Sequence, residues 1–326
     1  MILKNFLFFF IFPVIFGDEL LLVQTLFRHG DRTPTGTYPN DPYQEDSWPF
    51  SWGQLTTLGM KQHFEQGMKI RERYTIEYPF MTTEYKDYNL LHTSADCPRA
   101  DQIQESRLMA VSFQNFMASQ KPLLQQISKN TGINTSNFES YEGVSAFYAS
   151  TLIEKIYNRT LPRWITDSLW ETYCNGKWMT DDYLDGSDQF GQGSDTELIK
   201  LKSGVLLKTV IDNMDRAIQN ASKIKFYMYS AHDTTVGAFL RALQAKEEVV
   251  GTKRPDYAAT LILELWKKND GNYYVRVVYI QNVVSDPVVI TPFVDGCKND
   301  FCSIDDFKAR SVPFMSYDIN QECQKQ

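Results

Sequence analysis

The run Arg28-His29-Gly30-Asp31-Arg32-Thr33-Pro34 sets one imidazole between two guanidiniums. Arginine holds a phosphate or a carboxylate through two parallel, charge-assisted hydrogen bonds. Cationic neighbours disfavour protonation of the ring between them, so His29 is expected to be mostly neutral and nucleophilic. A neutral imidazole beside a phosphoryl group held by Arg28 and Arg32 points to attack on phosphorus. Gly30 removes a Cβ where an anion could come close to the backbone. A second polar group, His232-Asp233-Thr234-Thr235, stands far along the chain. A carboxylic acid there could protonate a leaving oxygen. Thr234 or Thr235 could cap a helix whose N-terminus attracts anions. The structural alternatives are a turn of surface charges with a satisfied histidine, and an Asp233 that only caps its helix.

Both groups follow apolar runs that read as strands. Leu20 to Phe27 has few polar breaks, the pattern of a strand covered on both faces, and Lys225 to Ala231 is a second such run. Open α/β sheets bind ligands at the C-terminal ends of their strands, which would bring the two groups to one rim. Gln54 to Tyr74 reads as a helix with Met60, Phe64, Gly67 and Met68 on an apolar face; His63 lies one position off it and is read as structural. Asn89 to Ser94 reads as a short strand, Arg99 to Gln120 as a helix, and Val236 to Leu243 as another. Ala258 to Trp266 and Tyr273 to Ile280 flank Asn269-Asp270-Gly271, a hairpin signature. Between Phe116 and Lys200 helix-like stretches alternate with polar loops and no strong strand appears. The expected plan is an α/β core of mostly parallel sheet flanked by helices, 18 to about 110 plus 197 to 326, with a smaller helical insertion over 111–196.

The first seventeen residues are a separate object. Lys4, the apolar run Phe6 to Phe16 and Gly17 have the layout of a secretory signal peptide, 1–17, too short to span a bilayer. No other run approaches the ~20 apolar residues of a transmembrane helix, so no stable membrane anchor is expected. With 33 Lys and Arg against 40 Asp and Glu, the chain carries net −7 and no basic block. That excludes nucleic-acid binding by a broad surface. At 43% hydrophobic and 22% charged it is globular rather than disordered. Five cysteines in a secretory chain leave one thiol over; Cys297 and Cys302 are spaced for a small loop disulfide. Sequons stand at Asn134, Asn158 and Asn220.

The chain resembles the histidine acid phosphatases, and more closely their prostatic and lysosomal group. RHGDRTP at 28–34 and SAHDTT at 230–235 carry the resemblance. Asp41-Pro42, Ser47-Trp48-Pro49, Gly53-Gln54-Leu55-Thr56, Leu58-Gly59-Met60, Gln62-His63, Leu201 to Leu207 and the hairpin from Tyr257-Ala258 extend it. It implies a phosphoglycerate-mutase-like fold and an acid phosphatase working through a phosphohistidine. His29 would be the nucleophile and Asp233 the acid for the leaving alcohol. Arg28, Arg32, Arg99 and His232 would bind phosphate, with neither metal nor other cofactor. Arg99 ends Thr93-Ser94-Ala95-Asp96-Cys97-Pro98-Arg99, where the family has R-S-T-D-x-D-R; Ser94 and Asp96 match, while Thr93, Ala95 and Pro98 depart.

The resemblance also marks a gap. Several tens of residues common in relatives have no counterpart after about residue 110, and with them would go the cysteine that pairs with Cys323. Thr260 would stand where Cys174 should find its mate. Only the Cys297–Cys302 bridge is then expected. The function read here is hydrolysis of phosphate monoesters by a secreted or lysosomal glycoprotein, a homodimer remaining open. The alternatives are a catalytically impaired phosphate-binding relative, or a lipid-phosphate or inositol-phosphate phosphatase of the same superfamily. Tyr38, Tyr43, Trp48, Phe50 and Trp52 could wall a pocket for an apolar leaving group or simply pack their loop. That loop has no lysine or arginine over 35–53, which argues against a polyanionic substrate.

Overall fold

The computed structural model describes residues 17–74, 80–82, 88–133 and 140–325. The expected leader lies outside them apart from Gly17, as does Asn134; Asn158 and Asn220 are exposed in turns. The chain opens with β1 (Glu19–Arg28) and passes through α1 (Thr57–Arg73) to a short β2 (Phe80–Thr82). Helices follow: α2 (Tyr88–Leu91), α3 (Pro98–Leu108), α4 (Val111–Thr131), α5 (Ser145–Ile156), α6 (Asp167–Leu184) and α7 (Thr196–Ile218). It returns as β3 (Phe226–Ala231), α8 (Asp233–Ala242), α9 (Lys246–Val250), β4 (Thr260–Lys267) and β5 (Tyr273–Ile280). β6 (Val288–Val289), β7 (Cys302–Ser303), α10 (Ile304–Ser311) and α11 (Ile319–Glu322) complete it.

The strands form one sheet in the order β2-β3-β1-β4-β5-β6, with β7 also on β5. β2, β3 and β1 are parallel. β4 to β7 pair antiparallel, as the tight β4–β5 hairpin requires. The fold is thus α/β with a mixed sheet, its parallel half carrying the two polar strand ends. Leu22 and Leu26 of β1 face a large cluster with α7 and α8; Val23 faces a smaller one with Ile70 of α1 and Tyr74 just after it. α4, α5 and α6 enclose a separate aromatic cluster around Tyr141, Phe147, Trp170 and Tyr173.

Several expectations are corrected. Residues 89–94 form no strand: α2 packs against α7 with Leu90 in the main cluster, and Leu91 O accepts the Thr235 hydroxyl. The helix expected over 99–120 breaks at Met109 and Ala110 into α3 and α4. The apolar face of α1 points outward, with Met60 54%, Phe64 69% and Met68 50% exposed. The inward face is Gly59, Gln62, His63, Gln66 and Ile70, because this helix is held by hydrogen bonds to the turn after β1 rather than by a hydrophobic stripe.

The cysteines also differ. Cys97 and Cys323 form a disulfide, beside the expected Cys297–Cys302. Cys97 caps α3 and Cys323 ends α11, and Arg99 N–H donates to Cys323 O, so the two segments meet without any additional cysteine. Cys174 is free and buried in the helical cluster. Thr260 stands in β4, where its hydroxyl accepts from Gln66.

Candidate active site

Parallel pairing of β1 with β3 sets the site. Arg28 is in register with Ala231, so His29 and His232 leave the sheet side by side. His29 N–H donates to Ala231 O, and Ala258 N–H to His29 O, which fixes the turn between β3 and the segment before β4. The two imidazoles meet edge to face with centroids 5.5 Å apart. Arg28, His29, Arg32, His232 and Asp233 line one cavity of about 450 Å³. Sequence reading brought these five together, and the fold does the same.

The turn after β1 is held from below. Gly30 and Gly59, in the first turn of α1, lie back to back, and a Cβ on either would overlap the other's neighbourhood. This close approach requires a glycine at Gly30. Gly30 N–H donates to His63 Nε2 at 2.9 Å, and Asp31 N–H to Gln62 Oε1 at 2.7 Å. The buried Asp31 carboxylate accepts from the Thr56 and Tyr157 hydroxyls, each at 2.5 Å. Here α1 and the end of α5 clamp one side chain of the motif.

The tautomer of His29 follows from its partner. Nδ1 lies 2.8 Å from Gly30 O, and a carbonyl only accepts, so Nδ1 carries the proton and Nε2 keeps a lone pair. Burial pushes the ring down from the ordinary 6.5 to about 4, with Arg28, Arg32 and His232 adding to the shift against the Gly30 bond. His29 is therefore a neutral base in mild acid. Burial, foremost, also lowers His232.

Arg28 donates to Pro255 O at 2.8 Å, stacks over Tyr257 at 4.1 Å and lies 3.1 Å from Asp233 Oδ2. Its Nε is buried and has no partner among the described residues. Asp233 is the first residue of α8, and its Oδ1 accepts Thr234 N–H at 2.8 Å. His232 occupies the N-cap position, so neither threonine caps the helix, and the Thr235 hydroxyl donates to Leu91 O. Burial pushes the Asp233 carboxyl up, but Arg28, Arg254 and the Thr234 N–H outweigh it and hold it below the usual range. A phosphoryl oxygen bound by Arg28 would thus sit between a nucleophilic nitrogen and a carboxyl at a helix N-terminus, an arrangement suited to phosphoryl transfer.

The profile of the histidine phosphatase superfamily (branch 2) matches residues 19–96 and 80–280, most of the chain. This chain belongs to that family. Lysosomal acid phosphatase of Xenopus laevis is 28% identical over 365 positions, covering 96% of this chain and 80% of the relative. Prostatic acid phosphatase of Bos taurus is 29% identical over 359, covering 94% and 88%. The first alignment runs over 365 positions against the 326 residues of this chain, so the relative carries residues with no counterpart here. Among solved structures, Hafnia alvei phytase in complex with tartrate superposes with a TM-score of 0.62 at 15% identity, over 95% of this chain and 99% of that one. A Bifidobacterium longum multiple inositol polyphosphate phosphatase in complex with inositol hexasulfate gives 0.63 at 11%, over 93% and 94%. These two share the fold.

In this histidine phosphatase Arg99 does not join the other arginines. It sits in the first turn of α3, where it pairs with both carboxylate oxygens of Glu197 on α7 at 2.7 and 2.8 Å and lines a different cavity. The Cys97–Cys323 bridge two residues before it fixes that turn. The third guanidinium in the cavity is Arg254, from the loop before β4. Sequence reading missed it because only the tertiary fold brings that loop to the strand ends. Of the two readings open for the loop aromatics, the packing one holds for Tyr38 and Trp48. Tyr38 is buried in the helical cluster and Trp48 packs edge-on against Tyr157, so they tie down their loop. The cavity wall is made by Tyr148, Trp178 and Tyr257.

Proposed function

We propose that this protein is an acid phosphatase that hydrolyses phosphate monoesters through a phosphohistidine. The carrying observation is the convergence of an unprotonated His29 Nε2, the Arg28 and Arg32 guanidiniums and the Asp233 carboxyl on one cavity. Arg28, Arg32 and His232 hold the phosphoryl oxygens. The bound phosphate dianion disfavours ionisation of the neighbouring Asp233 carboxyl and so raises it from its ligand-free position. His29 Nε2 attacks phosphorus, forming a P–N bond as the P–O bond breaks, and Asp233 gives its proton to the departing alkoxide. In the second half, the Asp233 carboxylate takes a proton from water as that water attacks phosphorus. The P–N bond breaks, phosphate leaves and His29 Nε2 regains its lone pair.

The relatives' names, lysosomal and prostatic acid phosphatase, support this reading and a place in the secretory pathway. Among the described residues no helix is long and apolar enough to cross a membrane. An impaired phosphate-binding relative is not favoured, since nucleophile, anion donors and acid lie together. The test is hydrolysis of an aryl phosphate at pH 5 by secreted wild type and His29→Ala: turnover in the first and none in the second is expected, and equal turnover refutes the reading.

A further inference from the structure

The loop before β4 brings one guanidinium to two carboxylates. Arg254 Nη2 lies 2.7 Å from Asp181 Oδ2 on α6, and its Nη1 lies 3.7 Å from Asp233 Oδ2. The same loop holds Arg28 through Pro255 O, so both arginines that flank Asp233 are fixed to one short segment. We propose that Arg254 is a positioning residue for the proton donor: it holds the Asp233 carboxyl beside Arg28 and, in competition with Asp181, sets how readily that carboxyl keeps its proton. This rests on the reading of Asp233 as the acid.

Neighbouring charges divide the labour. Asp182 on α6 is matched by Arg241 and Lys246, and Asp185 just after that helix is matched by Lys202, with only a lesser, through-space share of Arg254. Asp181 has Lys177 at 3.0 Å and shares Arg254. From the other side Asp233 faces Arg28 and His29 at the end of β1, with Arg32 just beyond, and His232 precedes it in the chain. Tyr148 of α5, Lys253, Asp256 and Tyr257 also line the cavity. Arg254 is the group whose charge is split between the acid and a carboxylate outside the site. Taking it away leaves Asp233 with one guanidinium and a firmer hold on its proton. Taking away Asp181 leaves Arg254 undivided and loosens that hold. A merely structural disturbance has no reason to act in opposite directions at the two positions.

The experiment measures kcat against pH for glycerol 2-phosphate and for nitrophenyl phosphate in wild type, Arg254→Gln, Arg254→Lys and Asp181→Asn. Glycerol needs the proton; nitrophenolate leaves readily without it. One cation at this range is expected to move the alkaline limb for the glycerol ester by about half a pH unit, roughly threefold in protonated fraction. The limb moves up in Arg254→Gln, returns toward wild type in Arg254→Lys and moves down in Asp181→Asn, while the nitrophenyl limb stays. The substrate's own second ionisation is common to all four proteins and drops out. A limb unmoved, moved the same way by Arg254→Gln and Asp181→Asn, or moved equally for both substrates overturns the proposal. Should Arg254→Gln not fold, the direction in Asp181→Asn decides. Asp233→Asn separates the layers: if it slows both substrates equally the acid assignment falls, whereas a selective loss with unmoved limbs sinks the Arg254 proposal alone.

Discussion

The ring Nε2 of His63 accepts the backbone N–H of Gly30 at 2.9 Å, so a helix outside the motif holds the turn that carries His29. The support continues inward: His63 Nδ1 donates to Gln66 Oε1 at 3.0 Å, and Gln66 donates to Ala258 O and to Thr260. His63→Ala leaves a part-buried amide without its acceptor and lets the nucleophile drift. An angstrom-scale misplacement costs on the order of 100-fold, so kcat is expected to fall about 10- to 100-fold. His63→Gln, which keeps an acceptor, should recover part of it. Steady-state kinetics of both variants check this, and a fully active His63→Ala would contradict it.

The acid limb of activity belongs to His29. Its proton affinity in the fold is lowered to about 4, so the ring stays neutral and nucleophilic above that pH and is protonated below it. The rate is expected to fall on the acid side around pH 4 for alkyl and aryl esters alike, because both need the nucleophile. Profiles of kcat/KM for the two esters test it; an acid limb near the ordinary histidine value of 6.5 would show that the ring is not shielded as described.

Glu154 on α5 is fully buried, and among the described residues no basic side chain or backbone N–H donates to its oxygens; the Asp41 carboxyl is its polar neighbour. Burial, reinforced by the Asp41 carboxyl, pushes it from 4.5 up to about 8. A raised carboxyl favours the protonated fold: its contribution is complete below about 4.5 and is lost as pH rises through 8. Within that window stability should fall with pH by up to about 1.4 kcal/mol per unit. Thermal melts of wild type and Glu154→Gln are the check. The wild-type Tm should drop between pH 5 and 8 and the variant's drop should be smaller; parallel curves would rule Glu154 out as the source.

The Cys97–Cys323 bridge closes a separation of 226 residues. Restricting the unfolded chain over a loop of that length is worth about 5 kcal/mol in the chain-entropy account. Cys97→Ala is expected to lower the denaturation midpoint substantially and to free Cys323 for thiol labelling, while Cys174 stays protected inside the helical cluster until the protein unfolds. Mass mapping of non-reduced peptides that joined Cys323 to Cys174 would contradict the pairing.

The site was legible where chemistry and strand ends coincide. Arg28-His29 and His232-Asp233 both follow apolar runs, and parallel pairing of such runs leaves their C-terminal residues on one rim. α1 was legible as a helix but not in orientation. Its periodic apolar residues Met60, Phe64 and Met68 outweigh Gln62, His63 and Gln66 in any count of hydrophobicity, yet those polar residues make the inward bonds. Arg99 occupies the motif position for a phosphate ligand, but Glu197 and the disulfide beside it decide where the side chain goes, and both partners are distant in sequence. Arg254 carries no local signal, because its role arises only when its loop meets α6 and Asp233.

Trapping the covalent intermediate tests the central claim most directly. Wild type mixed with radiolabelled nitrophenyl phosphate and quenched in alkaline denaturant within one turnover should carry base-stable, acid-labile label on the peptide containing His29, and His29→Ala should carry none. A label on another residue, or no label from a fully active enzyme, would contradict the phosphohistidine mechanism.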